Sequence, residues 1–161
     1  MKLRILSVFA AAALLAACET APDSTATTGG DGASTSSSSA SSSTTLSESS
    51  PEWFAVNVGD RVFFGFDKYD LAGEARRTLE LQAAWLKKYP QYKVVVEGHA
   101  DERGTREYNL ALGERRANSV KDYLVALGID PSRVETISYG KERPVALGHD
   151  EESWAKNRRS V

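Results

Sequence analysis

The stretch Tyr92–Leu127, "YKVVVEGHADERGTREYNLALGERRANSVKDYLVAL", decides the fold. Tyr92 to Glu97 is an apolar, β-branched run that reads as a buried strand. From Thr105 or Arg106 to Leu127 the spacing changes. Leu110, Gly113, Ala117, Val120, Leu124 and Leu127 recur at alternating threes and fours, which predicts a helix with one apolar stripe. Thr105 is placed to cap its N-terminus and Gly128 to end it. Between strand and helix lies the charged seam "EGHADERGT", residues 97–105.

The same strand-then-helix alternation extends on both sides. Arg61–Asp67 is rich in aromatic and β-branched residues and predicts a strand. Leu71 to Tyr89 predicts a helix with Ala75, Leu79, Ala83 and Leu86 inward, stopped by Pro90. Val134–Tyr139 is a third strand. Glu151–Asn157 is a short helix, and a last strand starts near Arg159. The expected architecture is a two-layer α/β (α+β) sandwich, β-α-β-α-β on a small mixed sheet with an added edge or inserted strand.

The 161 residues carry a net charge of −2, which bounds the chain to one modest domain plus extensions and argues against a nucleic-acid binder. The N-terminus, "MKLRILSVFAAAALLAAC", has two basic residues and then an apolar run, Ile5 to Ala17. A bilayer core of about 30 Å needs about 20 apolar residues, so residues 1–17 read as an export signal rather than a spanning helix. Cys18 is the only cysteine and has no intramolecular partner. Leu15-Ala16-Ala17-Cys18 resembles a bacterial lipobox, which implies lipidation at Cys18. Several acyl chains at about 0.8 kcal/mol per buried CH₂ make a durable anchor. Glu19, in place of the aspartate that commonly retains such proteins in the inner membrane, favours the outer membrane. Residues 18–50, including "STSSSSASSSTT" at 34–45, lack the apolar residues that offset ordering entropy and are expected to form a tether. Its root-mean-square reach is about 30 Å. The folded domain is expected over 51–161.

Asp101 and Arg103 sit just past a strand. Asn109 and Arg116, seven apart, share a helix face, and Asp67 ends the first strand at the same sheet edge. Opposite charges flanking a cleft suit a zwitterion whose ammonium meets a carboxylate and whose carboxylate meets a guanidinium. Residue types alone favour a solvated charged loop over such a receptor. Glu102 reads as a solvated carboxylate, and His99 as a sheet residue with a satisfied ring nitrogen. Lys68, Tyr69 and Asp70 extend the rim. His99, Asp101, His149 and Asp150 lie in separate loops without a metal or nucleophile motif, so no metal, cofactor or catalysis is expected.

From Val62 onward the chain resembles the OmpA-like peptidoglycan-binding domain family, and within it the lipoproteins of the Pal type. The resemblance is carried by "FGFDKYDL" (64–71), "VEGHADERGTREYNLALGERRANSVKDYL" (96–124), "SYGKERP" (138–144) and "LGHDEESWAKNRR" (147–159). It implies non-covalent binding of meso-diaminopimelate in peptidoglycan stem peptides, with Asp101 and Arg116 holding the ligand's charged ends, Asp67 and Asn109 assisting, and Arg103 lining the site. It further implies a periplasmic domain of the Tol-Pal system, linking outer membrane to wall during division. The propeller protein TolB would then be a partner that competes for the same surface. A module mainly for TolB with weak wall binding is the alternative. Asp101→Ala or Arg116→Ala is expected to abolish wall binding without unfolding the domain. Family members usually run several residues past "NRR" plus an apolar residue, so the last strand is expected to be short or clipped.

Overall fold

The computed structural model describes residues 46–161; the signal segment, Cys18 and most of the tether lie outside them. Four helices and four strands follow one another as α1 (Pro51–Phe54), β1 (Val62–Phe63), α2 (Gly73–Lys88), β2 (Val94–His99), α3 (Arg106–Ala126), β3 (Val134–Gly140), α4 (Glu151–Asn157) and β4 (Arg159–Ser160). The sheet order is β1-β4-β2-β3. β2 and β3 pair in parallel across the α3 crossover, while β4 runs antiparallel to both its neighbours. The last strand is therefore inserted in the sheet rather than added at its edge. Val161 exchanges both backbone hydrogen bonds with Glu97, at 2.8 and 3.0 Å.

Helices α2 and α3 cover one face. Leu79, Ala83 and Leu86 meet Val96, Ala117, Val120, Leu124 and Val134 in the core. At about 25 cal/mol per Å² of apolar surface removed from water, such burial is the main favourable contribution to folding. Thr105 caps α3, its hydroxyl accepting from the Tyr108 N–H at 3.2 Å. Gly128, at φ +92°, turns the chain out of the helix as a left-handed residue should. Leu110, expected on the stripe, is instead exposed, and Leu112 is buried with Asn109 and Arg116. The inward face of the first α3 turns is thus partly polar, and an apolar stripe could not reveal it.

Gly113 belongs to the inward face for a second reason. A Cβ on Gly98 would stand 1.8 Å from the Gly113 carbonyl oxygen, and one on Gly113 would stand 2.4 Å from the Ser138 hydroxyl. The strand and helix backbones touch there, which sets the depth of α3 on the sheet and so the position of everything at its N-terminal end. Gly98→Ala must push α3 off β2. Overpacking of this kind costs about 3 kcal/mol, measured as a lower urea midpoint at unchanged slope.

Two boundaries differ from the expected ones. The β1 pairing spans Val62–Phe63 rather than Arg61–Asp67, because Asp67 adopts φ +55° and sits in a turn. At the N-terminal side, the domain's contacts reach into the expected tether. The Trp85 indole N–H donates to the Glu48 carbonyl at 2.8 Å, and the Tyr92 hydroxyl to that of Ser49 at 2.6 Å. Trp85 itself packs among Phe54, Tyr89 and Tyr92 with ring centroids about 5 Å apart, a tilted and offset aromatic cluster. This cluster fixes the point at which the preceding chain leaves the domain.

Candidate functional site

A cavity of about 190 Å³ opens where β2 ends and α3 begins. Asp67, Asp101, Arg103, Asn109 and Arg116, the five residues singled out in the sequence, all line it, together with Phe66 and Tyr108. Such a volume holds several waters and so leaves room for an amino-acid head group.

Arg116 forms the floor and is fully buried (0% exposed). Its Nε donates to the Lys68 carbonyl at 2.8 Å, Nη1 to that of His99 at 2.7 Å and Nη2 to that of Gly65 at 3.1 Å. One guanidinium thus ties the end of β2 to the Gly65–Lys68 turn. Burial pulls its pKa down to about 10, so it stays charged at neutral pH. The expectation that it is a ligand contact and no part of the core needs correcting on that second point.

Asp101, 4% exposed, is held at both oxygens. Oδ1 accepts from the Arg103 backbone N–H at 3.1 Å and Nε at 3.2 Å; Oδ2 accepts from Arg103 Nη2 at 2.7 Å and Arg158 Nη1 at 3.3 Å. Burial pushes the carboxyl pKa up, but the hydrogen bonds from Arg103 and Arg158 outweigh it and hold it below the usual aspartate range. Arg158 was missed in the sequence. It lies 57 positions from Asp101, donates also to the Phe64 carbonyl at 3.1 Å and pairs with Glu151 at 2.5 Å. No spacing rule links such distant positions.

Asn109 commits its amide hydrogens to the loop, donating to the carbonyls of Arg103 (2.8 Å) and Thr105 (3.0 Å). Its role is to hold the loop shape, with its carbonyl oxygen left for other partners. Asp67 accepts a hydrogen bond from the Tyr108 hydroxyl. Phe66 and Tyr108, which line the cavity, are exposed, as is Tyr69 on the turn that follows Asp67. Arg103, Arg116 and Arg158 stand against Asp67, Asp101 and Glu151, so the site is close to neutral, with Asp101 paired directly to Arg103 and Arg158.

Two further expectations are corrected. Glu102 is not simply solvated: its carboxylate accepts from the Trp154 indole at 2.8 Å and lies 2.8 Å from His149 Nδ1. His99 has neither ring nitrogen hydrogen-bonded, although Nε2 lies 3.4 Å from a Glu97 oxygen and Tyr139 stacks on the ring with centroids 5.6 Å apart. At 1% exposure this imidazole is stable only as the neutral form. Burial first, and Arg159 second, lower its pKa to about 4. Since the folded pKa lies below the ordinary value of about 6.5, the folded chain binds fewer protons than the unfolded one between those values. The contribution is complete above pH 6.5 and is lost as pH falls to about 4, by at most about 3 kcal/mol. Unfolding free energies of the chain and of His99→Gln measured from pH 7 to 4 check this: the variant should show the shallower decline. Among the described residues no group of three His, Cys, Asp or Glu side chains could hold a metal, and His99 and His149 are not brought together.

A model of the OmpA family matches residues 63–158. The chain is 57% identical over 112 residues to the peptidoglycan-associated lipoprotein of Rhizobium meliloti (strain 1021), covering 70% of this chain and 64% of that protein. It is 58% identical over 112 residues to that of Mesorhizobium japonicum, covering 70% and 67%. The match thus spans less than two thirds of the length of the Rhizobium protein. Among solved structures, the peptidoglycan-associated lipoprotein from Burkholderia pseudomallei superposes with a TM-score of 0.61 at 49% identity, over 62% of this chain and 85% of that one.

Proposed function

Since this chain belongs to the OmpA family, and is 57–58% identical over 112 residues to peptidoglycan-associated lipoproteins, we propose that the cavity binds peptidoglycan non-covalently. The ligand is the zwitterionic end of meso-diaminopimelate in the stem peptides. Its ammonium is taken by Asp101 with help from Asp67, and its carboxylate by the Arg116 floor and the neighbouring backbone. Arg103 lines the wall and Asn109 keeps the loop open. The observation that carries the reading is the meeting of Asp101 and Arg116 in one near-neutral cavity with room for an amino-acid head group.

Charge-assisted hydrogen bonds contribute about 1.5–3 kcal/mol each and association costs oppose them, so micromolar affinity at one site is expected. With Cys18 lipidated and the Ser/Thr-rich stretch after it acting as a leash, the domain would hang from the outer membrane and grip the wall. Many copies would then add avidity. This makes the protein a non-enzymatic link between membrane and wall, acting within the Tol-Pal system. The exposed aromatic side chains Phe66 and Tyr108 of the cavity lining, with exposed Tyr69 on the adjoining turn, favour a second use of the same surface. A protein such as TolB, docking on those side chains, would compete with the wall.

Co-sedimentation of the chain with isolated sacculi tests the reading. Retention by sacculi carrying diaminopimelate, displaced by free meso-diaminopimelate, is the expected result. Equal retention by lysine-containing sacculi would show that the cavity does not read the zwitterion.

A further inference from the structure

Under that reading Arg103 is part of the pocket wall, so whatever fixes its guanidinium also shapes the pocket. The guanidinium carbon lies 4.0 Å from the centroid of the Phe66 ring and 4.1 Å from that of Trp154, so two aromatic rings pack on one guanidinium. Trp154 belongs to α4 and does not line the cavity. Its indole N–H is held by Glu102 Oε1 at 2.8 Å. Both Glu102 oxygens lie 2.8 Å from His149 Nδ1. A contiguous path therefore runs from His149 through Glu102, Trp154 and Arg103 to Asp101.

We propose that Trp154, held over Arg103 by Glu102, is a positioning residue for the ligand pocket, and that protonated His149 tightens this clasp. The proposal rests on the ligand reading above. Packing on one ring alone would leave a guanidinium that is about one-third exposed (31%) free to swing away from Asp101. The second ring confines it to the plane in which its Nε and Nη2 meet the two carboxylate oxygens, a fork geometry that needs both in register.

His149, in the loop between β3 and α4, faces Glu102 of the loop after β2, with Asp150 beside it and Lys141 lining the same small cavity and donating to the carbonyls of Glu102 and Gly104 at 3.1 and 2.7 Å. Glu102 foremost, with Asp150 assisting, raises the imidazole pKa above its ordinary value. The ion pair is therefore present below that raised pKa and lost as pH rises through it. Both partners are solvent-exposed, so the consequence is a few-fold step rather than a switch.

The test measures binding of a meso-diaminopimelate stem tripeptide to the purified full chain by calorimetry from pH 5.5 to 8.5. The Trp154 indole N–H resonance is followed over the same range without ligand. Wild-type affinity is expected to fall about threefold as His149 deprotonates. His149→Gln and Glu102→Gln should each remove the step. Trp154→Ala should weaken binding about fivefold to tenfold at every pH, and Trp154→Phe, which keeps a ring without the N–H, should weaken it less but also lose the step. An unaltered pH profile in His149→Gln, or wild-type affinity in Trp154→Ala, would overturn the proposal. Should the wild type bind no tripeptide, the ligand reading fails. The clasp is then upheld by an indole resonance that titrates with His149 and ceases to do so in Glu102→Gln, and overturned by one that does not titrate.

Discussion

Arg116→Ala is expected to cost the domain about 3–5 kcal/mol of stability and to abolish ligand binding. The stability figure follows from what the side chain does. Three backbone carbonyls, those of Gly65, Lys68 and His99, accept from it in the interior. Truncation takes the guanidinium donor from all three, although the Gly65 carbonyl keeps the Lys68 N–H at 3.2 Å, and it removes the floor of the cavity. Removing a buried charge from a bonded network belongs to the short list of changes with effects this large. Arg116→Lys does not rescue either property fully, because an ammonium is a point donor and cannot span three carbonyls in the plane of a guanidinium. Chemical denaturation followed by circular dichroism measures the stability. Binding is read at low temperature, where enough folded variant persists. Preserved stability with lost binding would mean that Arg116 serves the ligand alone.

Asp101→Asn has the second large effect, and it separates the same two properties in the opposite proportion. The amide keeps the shape of the carboxyl but removes the charge that two guanidiniums share. Arg158, whose side chain is 7% exposed, retains Glu151 and the Phe64 carbonyl, so stability should fall by about 2 kcal/mol. Binding should fall at least about a hundredfold, because the ligand ammonium loses its counter-charge while three arginines remain around it. The aspartate's depressed pKa adds a pH signature. Its contribution is present above the ordinary value of about 3.8 and is lost as pH falls through the lower folded value. The acid limb of the stability curve below pH 4 should therefore be shallower in Asp101→Asn than in the wild type. His99 accounts for the separate decline above that pH.

Local signals announced the parts of the fold that are governed locally. Thr105 and Gly128 bracket α3, and the valine run marks β2. Each of these depends on residues within a few positions of one another. The inner face of α3 was less legible, because Asn109 and Arg116 are buried without being apolar. A stripe drawn through apolar residues slides to Leu110 and misses Leu112. The turn at Asp67 shortened β1 for a comparable reason: a left-handed aspartate there is sustained by tertiary contacts such as the Tyr108 hydroxyl.

The five cavity residues could be named because they cluster in a few motifs. Their working arrangement could not, since Asp101 depends on Arg158, just past the end of α4, and Arg103 on Trp154 within α4, each more than 50 positions away. The charges of the seam at 97–105 consequently divide in a way that composition does not show. Asp101 and Arg103 face the cavity, Glu102 faces α4, and His99 sits neutral in the sheet.

The most direct test of the account is a calorimetric titration of the chain with two stem peptides that differ only at the third residue, meso-diaminopimelate in one and lysine in the other. The account predicts micromolar binding of the first and at least tenfold weaker binding of the second, whose side chain ends in an ammonium without the carboxylate that Arg116 would meet. Equal affinity for both peptides, or no binding of either by a folded chain, would contradict it.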